Sequence, residues 1–318
     1  MIKNFIINQA KCLLGPPRQN YEVFFLNLLG FQIFRYLIAY FKYKKKAKKN
    51  SNILNNLEKN GYVIIKNFFP NEKFKNILEI AQKIENYNLF TIKKYGNKKV
   101  HSFDFFYDDC KKFPDLEKSI LNLKDEFNKI DFLNEVFNLL KIKKEKISNL
   151  SYEKIVTQSN FIDEGDNDSE YHADRFYPCI KIFLYLDDNK LENGAFEYVK
   201  GSHRFSLSRL VHEYVYSILI CGKKLFKNIM PYFGYQLINN RVTFTNEKII
   251  KLYGSDSLVK CEAPINSLII CNNKGFHKRG RFQANKCRTH LRLNLYDQQI
   301  SSIKRKIFIY AKKLKKKN

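Results

Sequence analysis

Residues 172–188 read HADRFYPCIKIFLYLDD, and this stretch decides the fold. Its second half, Lys181–Leu186, is a nearly continuous apolar run that ends in a pair of aspartates, as is typical of a buried β-strand followed by a turn. Its first half places His172 and Asp174 two residues apart. On an extended chain, residues i and i+2 point to the same side, so both side chains can approach one ion. The stretch therefore predicts a sheet with a pair of ligands beside one strand.

A second strand, Arg288–Tyr296, alternates strictly between polar and apolar residues. One face carries Arg288, His290, Arg292, Asn294 and Tyr296, and the other carries Thr289, Leu291, Leu293 and Leu295. Such period-two alternation predicts a strand with one face toward each of two environments. We expect the polar face to look into the interior of a barrel and the leucines to pack outward under helices.

Helices precede the strands along the chain. Helical spacing covers Ile53–Lys59, Asn71–Ile84 with Asn71 as its N-cap, and the region 120–140. Further short strands are predicted at Tyr62–Ile65, Ala195–Val199 and Ser267–Cys271. Because helices come first and strands later, without βαβ alternation, the pattern predicts a mainly β fold with flanking helices (α+β), a β-sandwich or jelly roll.

Three segments follow from this pattern. Residues 1–50 form a basic and apolar N-terminal extension, 51–300 the jelly-roll domain, and 301–318 a basic C-terminal tail. Within the domain, mostly helical apolar-basic sequence near 206–250 interrupts the strands and is interpreted as an insertion.

A His-x-Asp pair is not a metal site by itself, because a third ligand must come from elsewhere in the chain. Two histidines and one carboxylate form the facial triad of non-haem iron(II) oxygenases, which leaves three coordination positions open. The sequence around the pair supplies further motifs: NGYVIIKNFFP at 60–70, ENGAFEYV at 192–199, GSHR at 201–204, APINSLII at 263–270, FHKRG at 276–280 and CRT at 287–289.

The order and the residues of these motifs resemble those of the phytanoyl-CoA dioxygenase family of iron(II)- and 2-oxoglutarate-dependent oxygenases. The resemblance extends from about Ser51 to Tyr296. The resemblance implies a double-stranded β-helix (jelly roll) with His172, Asp174 and His277 as the catalytic iron ligands. It also implies that Arg288, eleven residues after His277, binds the outer carboxylate of 2-oxoglutarate. A planar guanidinium can grip a carboxylate with two parallel hydrogen bonds, which lysine cannot do. Arg292 is the alternative if the register differs.

The implied enzyme is a dioxygenase that takes Fe(II) as cofactor and 2-oxoglutarate and molecular oxygen as co-substrates, and releases succinate and CO2. Related halogenases carry a small residue in place of the carboxylate ligand, so Asp174 favours hydroxylation. The substrate is expected to be a small organic, acyl or lipid- or saccharide-linked molecule. Two alternatives stay open: a non-catalytic jelly roll that binds a ligand or sits at a membrane surface, and a zinc hydrolase with the same three ligands.

The chain is strongly basic, since 57 Lys and Arg residues against 31 Asp and Glu residues give a net charge of +26. Such a field attracts polyanions or anionic lipid, although a lysine-rich genome would produce the same composition. The acidic stretch Asp163–Glu170 next to His172 argues against a nucleic-acid partner. Seven cysteines without a C-x-x-C pair predict reduced, mostly buried thiols in a cytoplasmic protein.

The segment Tyr21–Tyr43 predicts an amphipathic helix whose polar residues Asn27, Gln32 and Arg35 share one arc. A lysine run covering 42–49 follows at once. The helix could pack on the domain or on a second subunit, which we favour, or lie on the inner face of an anionic membrane.

Overall fold

The computed structural model describes residues 24–44, 52–95, 98–104, 112–140, 150–157, 168–238 and 241–296. The helices are α1 (Phe24–Leu28), α2 (Phe31–Lys44), α3 (Asn52–Asn60), α4 (Asn71–Asn86), α5 (Pro114–Asn128), α6 (Asp131–Leu140), α7 (Leu207–Cys221), α8 (Lys223–Phe226) and α9 (Asn246–Tyr253), with 3-10 turns at Met230–Phe233 and Ser255–Ser257. The strands are β1 (Tyr62–Ile65), β2 (Thr91–Tyr95), β3 (Lys98–Asp104), β4 (Leu150–Thr157), β5 (Cys179–Tyr185), β6 (Phe196–Val199), β7 (Tyr235–Ile238), β8 (Arg241–Phe244), β9 (Leu258–Cys261), β10 (Leu268–Asn272), β11 (His277–Arg279) and β12 (Cys287–Tyr296).

The strands form a jelly roll of two facing antiparallel sheets, as the sequence predicted. The larger sheet has the order β1-β10-β5-β12-β4-β3-β2, and the smaller one has the order β11-β6-β9. Side chains from both sheets meet in one buried cluster that includes Phe183 and Tyr185 of β5, Ile269 of β10, and Phe196 and Tyr198 of β6. The space between the two sheets is therefore the interior of the barrel.

The outer face of the larger sheet is covered by helices. Leu291, Leu293 and Leu295 of β12 lie in the main hydrophobic core together with Ile84 of α4 and Phe127 of α5. The outward packing predicted for these leucines is confirmed. The alternate side chains of β12 consequently point into the barrel. This places its two arginines and its histidine where a site can form.

The region 206–250 is not only helical. Between α7 and α9 it also contains the hairpin β7–β8, in which Tyr235 pairs with Phe244. The strands are four residues each, too short for a period-two pattern to stand out in apolar-basic sequence. The N-cap prediction for Asn71 is wrong as well, because Asn71 is the first residue of α4 and Pro70 precedes it without a side-chain cap.

The N-terminal segment forms two helices rather than one. The break falls at Gly30, whose φ of 87° lies in the left-handed region that glycine adopts without strain. Asn27, Gln32 and Arg35, the predicted polar arc, are buried against α7. Packing on the domain is thus observed, but through the polar side. No described helix combines the length and the apolar content that crossing a bilayer requires.

Several predictions fall outside the described residues. These are the first 23 residues of the N-terminal extension, most of the lysine run, the acidic residues 163–167, Cys12, Cys110 and the C-terminal tail 301–318. The division into extension, domain and tail stays a prediction.

Candidate metal centre

Two separate segments bring the three predicted ligands together. His172 and Asp174 precede β5, while His277 opens β11 on the opposite sheet. The backbones of His172 and His277 form an isolated antiparallel bridge, in which each N–H donates to the other carbonyl at 3.0 Å. The main chain therefore fixes the spacing of the two imidazoles independently of their side chains.

The ligand atoms of His172, Asp174 and His277 all lie within 4.8 Å of one another. His172 Nε2 is 3.7 Å from Asp174 Oδ1, and His277 Nε2 is 3.8 Å from Asp174 Oδ2. The two imidazole centroids are 4.4 Å apart, and both rings are buried. The three side chains could hold one divalent ion between them.

The tautomers of both histidines suit metal binding. His172 Nδ1 lies 2.7 Å from the Glu170 carbonyl, and His277 Nδ1 lies 3.0 Å from the Gly275 carbonyl. Because a carbonyl only accepts, each Nδ1 carries the hydrogen, and each Nε2 presents a lone pair toward the shared point. Such outer hydrogen bonds orient metal-ligating histidines in general. A two-histidine, one-carboxylate set with open positions is the donor set of non-haem iron(II).

Two further residues contact the triad. The Lys181 ammonium lies 2.6 Å from Asp174 Oδ2, and the Asn273 amide donates to the same oxygen at 2.9 Å. Asn273 Nδ2 is also 2.9 Å from His277 Nε2. A metal ion would take the place of this amide at His277, while Lys181 can keep Oδ2 and leave Oδ1 for coordination.

Sequence reasoning missed both residues. Lys181 had a detectable signal, since it is the one charged residue within the apolar run Cys179–Leu186. Asn273 had none, because its place beside the triad depends on the turn between β10 and β11.

Arg288 projects from β12 into the barrel and is only 5% exposed. Its Nη1 donates to the Gly194 carbonyl, while its Nε has no hydrogen-bond partner. The guanidinium also lies 5.3 Å from the ring centre of Phe282. Burial lowers the pKa of Arg288. No described carboxylate forms an ion pair with it, and a buried guanidinium in that state suits an anionic ligand.

Arg292, the alternative arginine, is already paired. Its Nη1 lies 2.6 Å from Glu153 Oε1, and His290 Nε2 donates to Glu153 Oε2 at 3.2 Å. Burial would raise the pKa of Glu153, but the Arg292 guanidinium and the His290 hydrogen bond outweigh it and lower that pKa to about 2. Burial lowers the pKa of His290 to about 4, against the opposing effect of Glu153.

A narrow cavity of about 50 Å³ lies between the triad and Arg288. Its lining includes Lys181, which pairs with Asp174 outside the lining, and both members of the ion pairs Arg292–Glu153 and Arg279–Asp168. A ligand the size of 2-oxoglutarate would require side chains to move aside, and among the described carboxylates none forms an ion pair that would hold Arg288 in place.

The other histidines have structural partners. His203 Nε2 lies 2.9 Å from the Glu58 carbonyl, a hydrogen bond that ties the turn after β6 to α3. His212 is buried between the rings of Phe244 and Phe276, and His101, which lies on β3, contacts the ring of Phe90. None of the five cysteines in the described ranges forms a disulfide with another of them, and only Cys287 is exposed.

Comparison with protein families gives one match. Residues 57–217, about half of the chain, match the family described as phytanoyl-CoA dioxygenase. The matched region contains His172 and Asp174, whereas His277 and Arg288 lie beyond it. Their proximity to the pair is an independent observation of the structure. A sequence comparison with curated proteins found no match.

Solved structures of similar shape include a nickel and 2-oxoglutarate complex of HygX from Streptomyces hygroscopicus, at 13% identity and a TM-score of 0.43, covering 78% of this chain and 87% of that one. EvdO2 from Micromonospora carbonacea var. aurantiaca, complexed with 2-oxoglutarate, is similar at 12% identity and a TM-score of 0.43, covering 78% and 91%. The non-haem α-ketoglutarate-dependent epimerase SnoN of nogalamycin biosynthesis is similar at 10% identity and a TM-score of 0.45, covering 76% and 78%.

Proposed function

This chain belongs to the phytanoyl-CoA dioxygenase family of iron- and 2-oxoglutarate-dependent oxygenases, and on this premise we propose that it hydroxylates a small organic, acyl or lipid- or saccharide-linked substrate at a centre formed by His172, Asp174 and His277. The observation that carries the proposal is the convergence of two Nε2 lone pairs and one carboxylate on a single point. When bound, iron and 2-oxoglutarate supply the oxidising chemistry, in which oxygen is reduced and succinate and CO2 are released.

The residues of this chain have separate tasks in the proposal. The two histidines and Asp174 hold the metal, and the carbonyls of Glu170 and Gly275 keep both imidazoles in the required tautomer. Lys181 restrains the second carboxylate oxygen, so that Asp174 coordinates through one oxygen and more positions stay open.

Arg288 is proposed to bind the outer carboxylate of 2-oxoglutarate. Support comes from its burial, its unpartnered Nε and the absence of an ion pair to any described carboxylate. Arg292 is less suited, because its charge is already matched by Glu153. The surrounding aromatic rings of Tyr185, Phe183 and Phe196 would keep water from the reacting atoms.

The cellular setting is part of the same proposal. The five thiols in the described ranges, which form no disulfide with one another, support a cytoplasmic enzyme. Peripheral contact with the inner face of an anionic membrane would suit a lipid-linked substrate, and the lysine run at 42–49 supports it.

The test is an anaerobic titration of the purified protein with iron(II) and 2-oxoglutarate, followed by visible spectroscopy of the chelate. We expect a weak charge-transfer band in the wild type, its loss in His172→Ala, and a far higher 2-oxoglutarate requirement in Arg288→Ala. His101→Ala is the matched control, since it removes a histidine of β3 that has no contact with the triad, and its titration should equal that of the wild type.

The opposite outcome would favour the non-catalytic alternative. If the wild type binds iron no better than His172→Ala, the site is vestigial and the chain is a ligand-binding jelly roll. If Arg292→Ala rather than Arg288→Ala raises the 2-oxoglutarate requirement, the two arginines exchange roles and the oxygenase proposal stands.

A further inference from the structure

The N-terminal helices α1 and α2 turn their polar side toward the protein and their apolar side toward solvent. Gln32, Arg35, Tyr36 and Ala39 of α2 are buried. On the opposite side, Phe34, Ile38 and Phe41 are 59%, 52% and 61% exposed. An ordinary surface helix has the reverse arrangement, with its apolar stripe on the core. We define the outward apolar face as Phe25, Leu28, Leu29, Phe34, Ile38 and Phe41.

Buried polar contacts hold this orientation in place. Gln32 Nε2 donates to Glu213 Oε2 at 3.0 Å, and Arg35 donates to Gln32 Oε1 at 3.0 Å. The other Glu213 oxygen accepts two hydrogen bonds from Arg209, which has no exposed surface. Rotating the helix about its axis to bury its phenylalanines would break the hydrogen bonds of these buried charged groups. The free energy lost in this way opposes the free energy gained by burying the apolar side chains. The outward apolar face is therefore a fixed feature.

The apolar surface continues onto the neighbouring elements. The ring centres of Phe205 and Tyr40 are 4.5 Å apart. The nearby residues Leu207 and Val211 of α7 are 74% and 53% exposed. At the N-terminal end of the face, the ring centres of Phe24 and Phe226, a residue of α8, are 5.9 Å apart. A contiguous exposed patch of this kind marks an interaction surface rather than the scattered apolar residues of an ordinary exterior.

We propose that the outward apolar face docks on an anionic lipid bilayer, with the helices lying in the plane of the interface. Charge complementarity selects this occupant: α2 ends with Lys42 and Lys44, the sequence continues with Lys45, Lys46, Lys48 and Lys49, and the whole protein has a net charge of +26. Apolar side chains on one face with a cluster of lysines beside them are the pattern of interfacial helices on anionic membranes. An interface between two copies would bring both lysine runs and both net charges together, which is unfavourable.

Docking in this orientation would bring the metal centre near the membrane. The buried side of α2 reaches Lys274, whose Nζ lies 4.7 Å from the ring centre of Tyr36. Lys274 follows Asn273, which contacts both Asp174 and His277. The surface proposed here does not depend on the oxygenase proposal, although it would favour the lipid-borne members of that substrate class.

The test is co-sedimentation of the full-length, metal-free protein with vesicles. We expect binding to phosphatidylcholine vesicles that contain about one-third phosphatidylglycerol, weaker binding at high salt, and little binding to pure phosphatidylcholine. The combined variant Phe34→Ser, Ile38→Ser, Phe41→Ser should bind roughly a hundredfold more weakly, because it loses most of the apolar area that enters the lipid. Because these side chains are exposed, its melting temperature should stay near that of the wild type.

The matched control is Leu121→Ser. It removes a 52% exposed apolar side chain of α5, which is not part of the outward apolar face, and it should leave vesicle binding unchanged. Wild-type binding that is negligible, or that equals binding by the combined variant, overturns the proposal. Light scattering adds one more decisive result: a wild-type dimer that the same three substitutions dissociate would make the face a subunit contact. Absence of the iron chelate band, by contrast, would leave the vesicle result intact.

Discussion

Replacing Arg288 by methionine should separate ligand binding from stability. The guanidinium is buried, has an unpartnered Nε and forms no ion pair with a described carboxylate. Removing such a cation from the metal-free protein should change the free energy of unfolding by no more than about 1 kcal/mol, or raise it, because burying a charge without a counter-charge is costly and offsets the loss of its hydrogen bond to the Gly194 carbonyl. The same substitution should weaken 2-oxoglutarate binding by about 2–5 kcal/mol, the range for losing one side of a buried charge pair. That corresponds to roughly 30-fold to several thousandfold in Kd.

Arg292→Met is the matched variant with the opposite expectation. It leaves Glu153 buried beside His290 without its cation, and the pair is partly screened because the Arg292 side chain is 29% exposed. We expect a loss of about 1–3 kcal/mol in the free energy of unfolding, or about 2–4 °C in Tm per kcal/mol, with little change in 2-oxoglutarate affinity.

The two properties are measured by thermal unfolding of the metal-free variants and by anaerobic 2-oxoglutarate titration of the iron-loaded ones. The reasoning is refuted if Arg288→Met destabilises the protein as much as Arg292→Met does and titrates like the wild type. The guanidinium would then serve the fold through its contact with the Gly194 carbonyl.

Three other predictions concern the barrel interior. The pKa of Glu153 is lowered to about 2, so its contribution to stability is present above about pH 4.5 and is lost as the pH falls toward 2. In acid denaturation, Glu153→Gln should therefore make the free energy of unfolding depend less on pH over that interval. An unchanged pH dependence would contradict this prediction. The pKa of His290 is lowered to about 4, so as the pH falls the unfolded chain binds a proton at this histidine before the folded protein does. Stability should therefore fall between about pH 6.5 and 4. His290→Gln should reduce that fall, with circular dichroism as the check that the variant keeps the native fold. A Cβ at Gly275 would collide with Tyr198 Oη and Ser202 Oγ next to His277, so Gly275→Ala should weaken iron binding in a competition with a chromogenic chelator. Gly254→Ala meets no atom within 4 Å and strains only the backbone at a φ of 80°, so it should lower the melting temperature without weakening iron binding.

The sequence predicted the barrel because its signals were local. The alternation along β12 and the apolar run of β5 placed each residue on a face, and period two needs no knowledge of the partner strand. His277 and Arg288 could be assigned to the site only through a resemblance in the order of motifs, since their distance from His172 along the chain hides their proximity. The structure then supplied that proximity directly, through the bridge between the two histidine backbones.

Other features depended on partners that a pattern does not contain. The polar arc of α2 was visible, but its direction is set by Glu213, 181 residues away from Gln32 along the chain. A helical wheel shows which residues share a face and cannot show which face is covered. The contact of Asn273 with the triad likewise depends on a turn whose course no periodicity encodes.

The backbone bridge between His172 and His277 has a consequence for how the protein is handled. Because main-chain hydrogen bonds join the two histidine backbones directly, we expect removal of a bound ion to leave the spacing of the imidazoles intact. Chelation should therefore be reversible, and the stripped protein can be reloaded with cobalt, nickel or manganese without refolding. Spectroscopically useful or inert ions can thus be exchanged into one batch of protein, and each can be compared on the same scaffold.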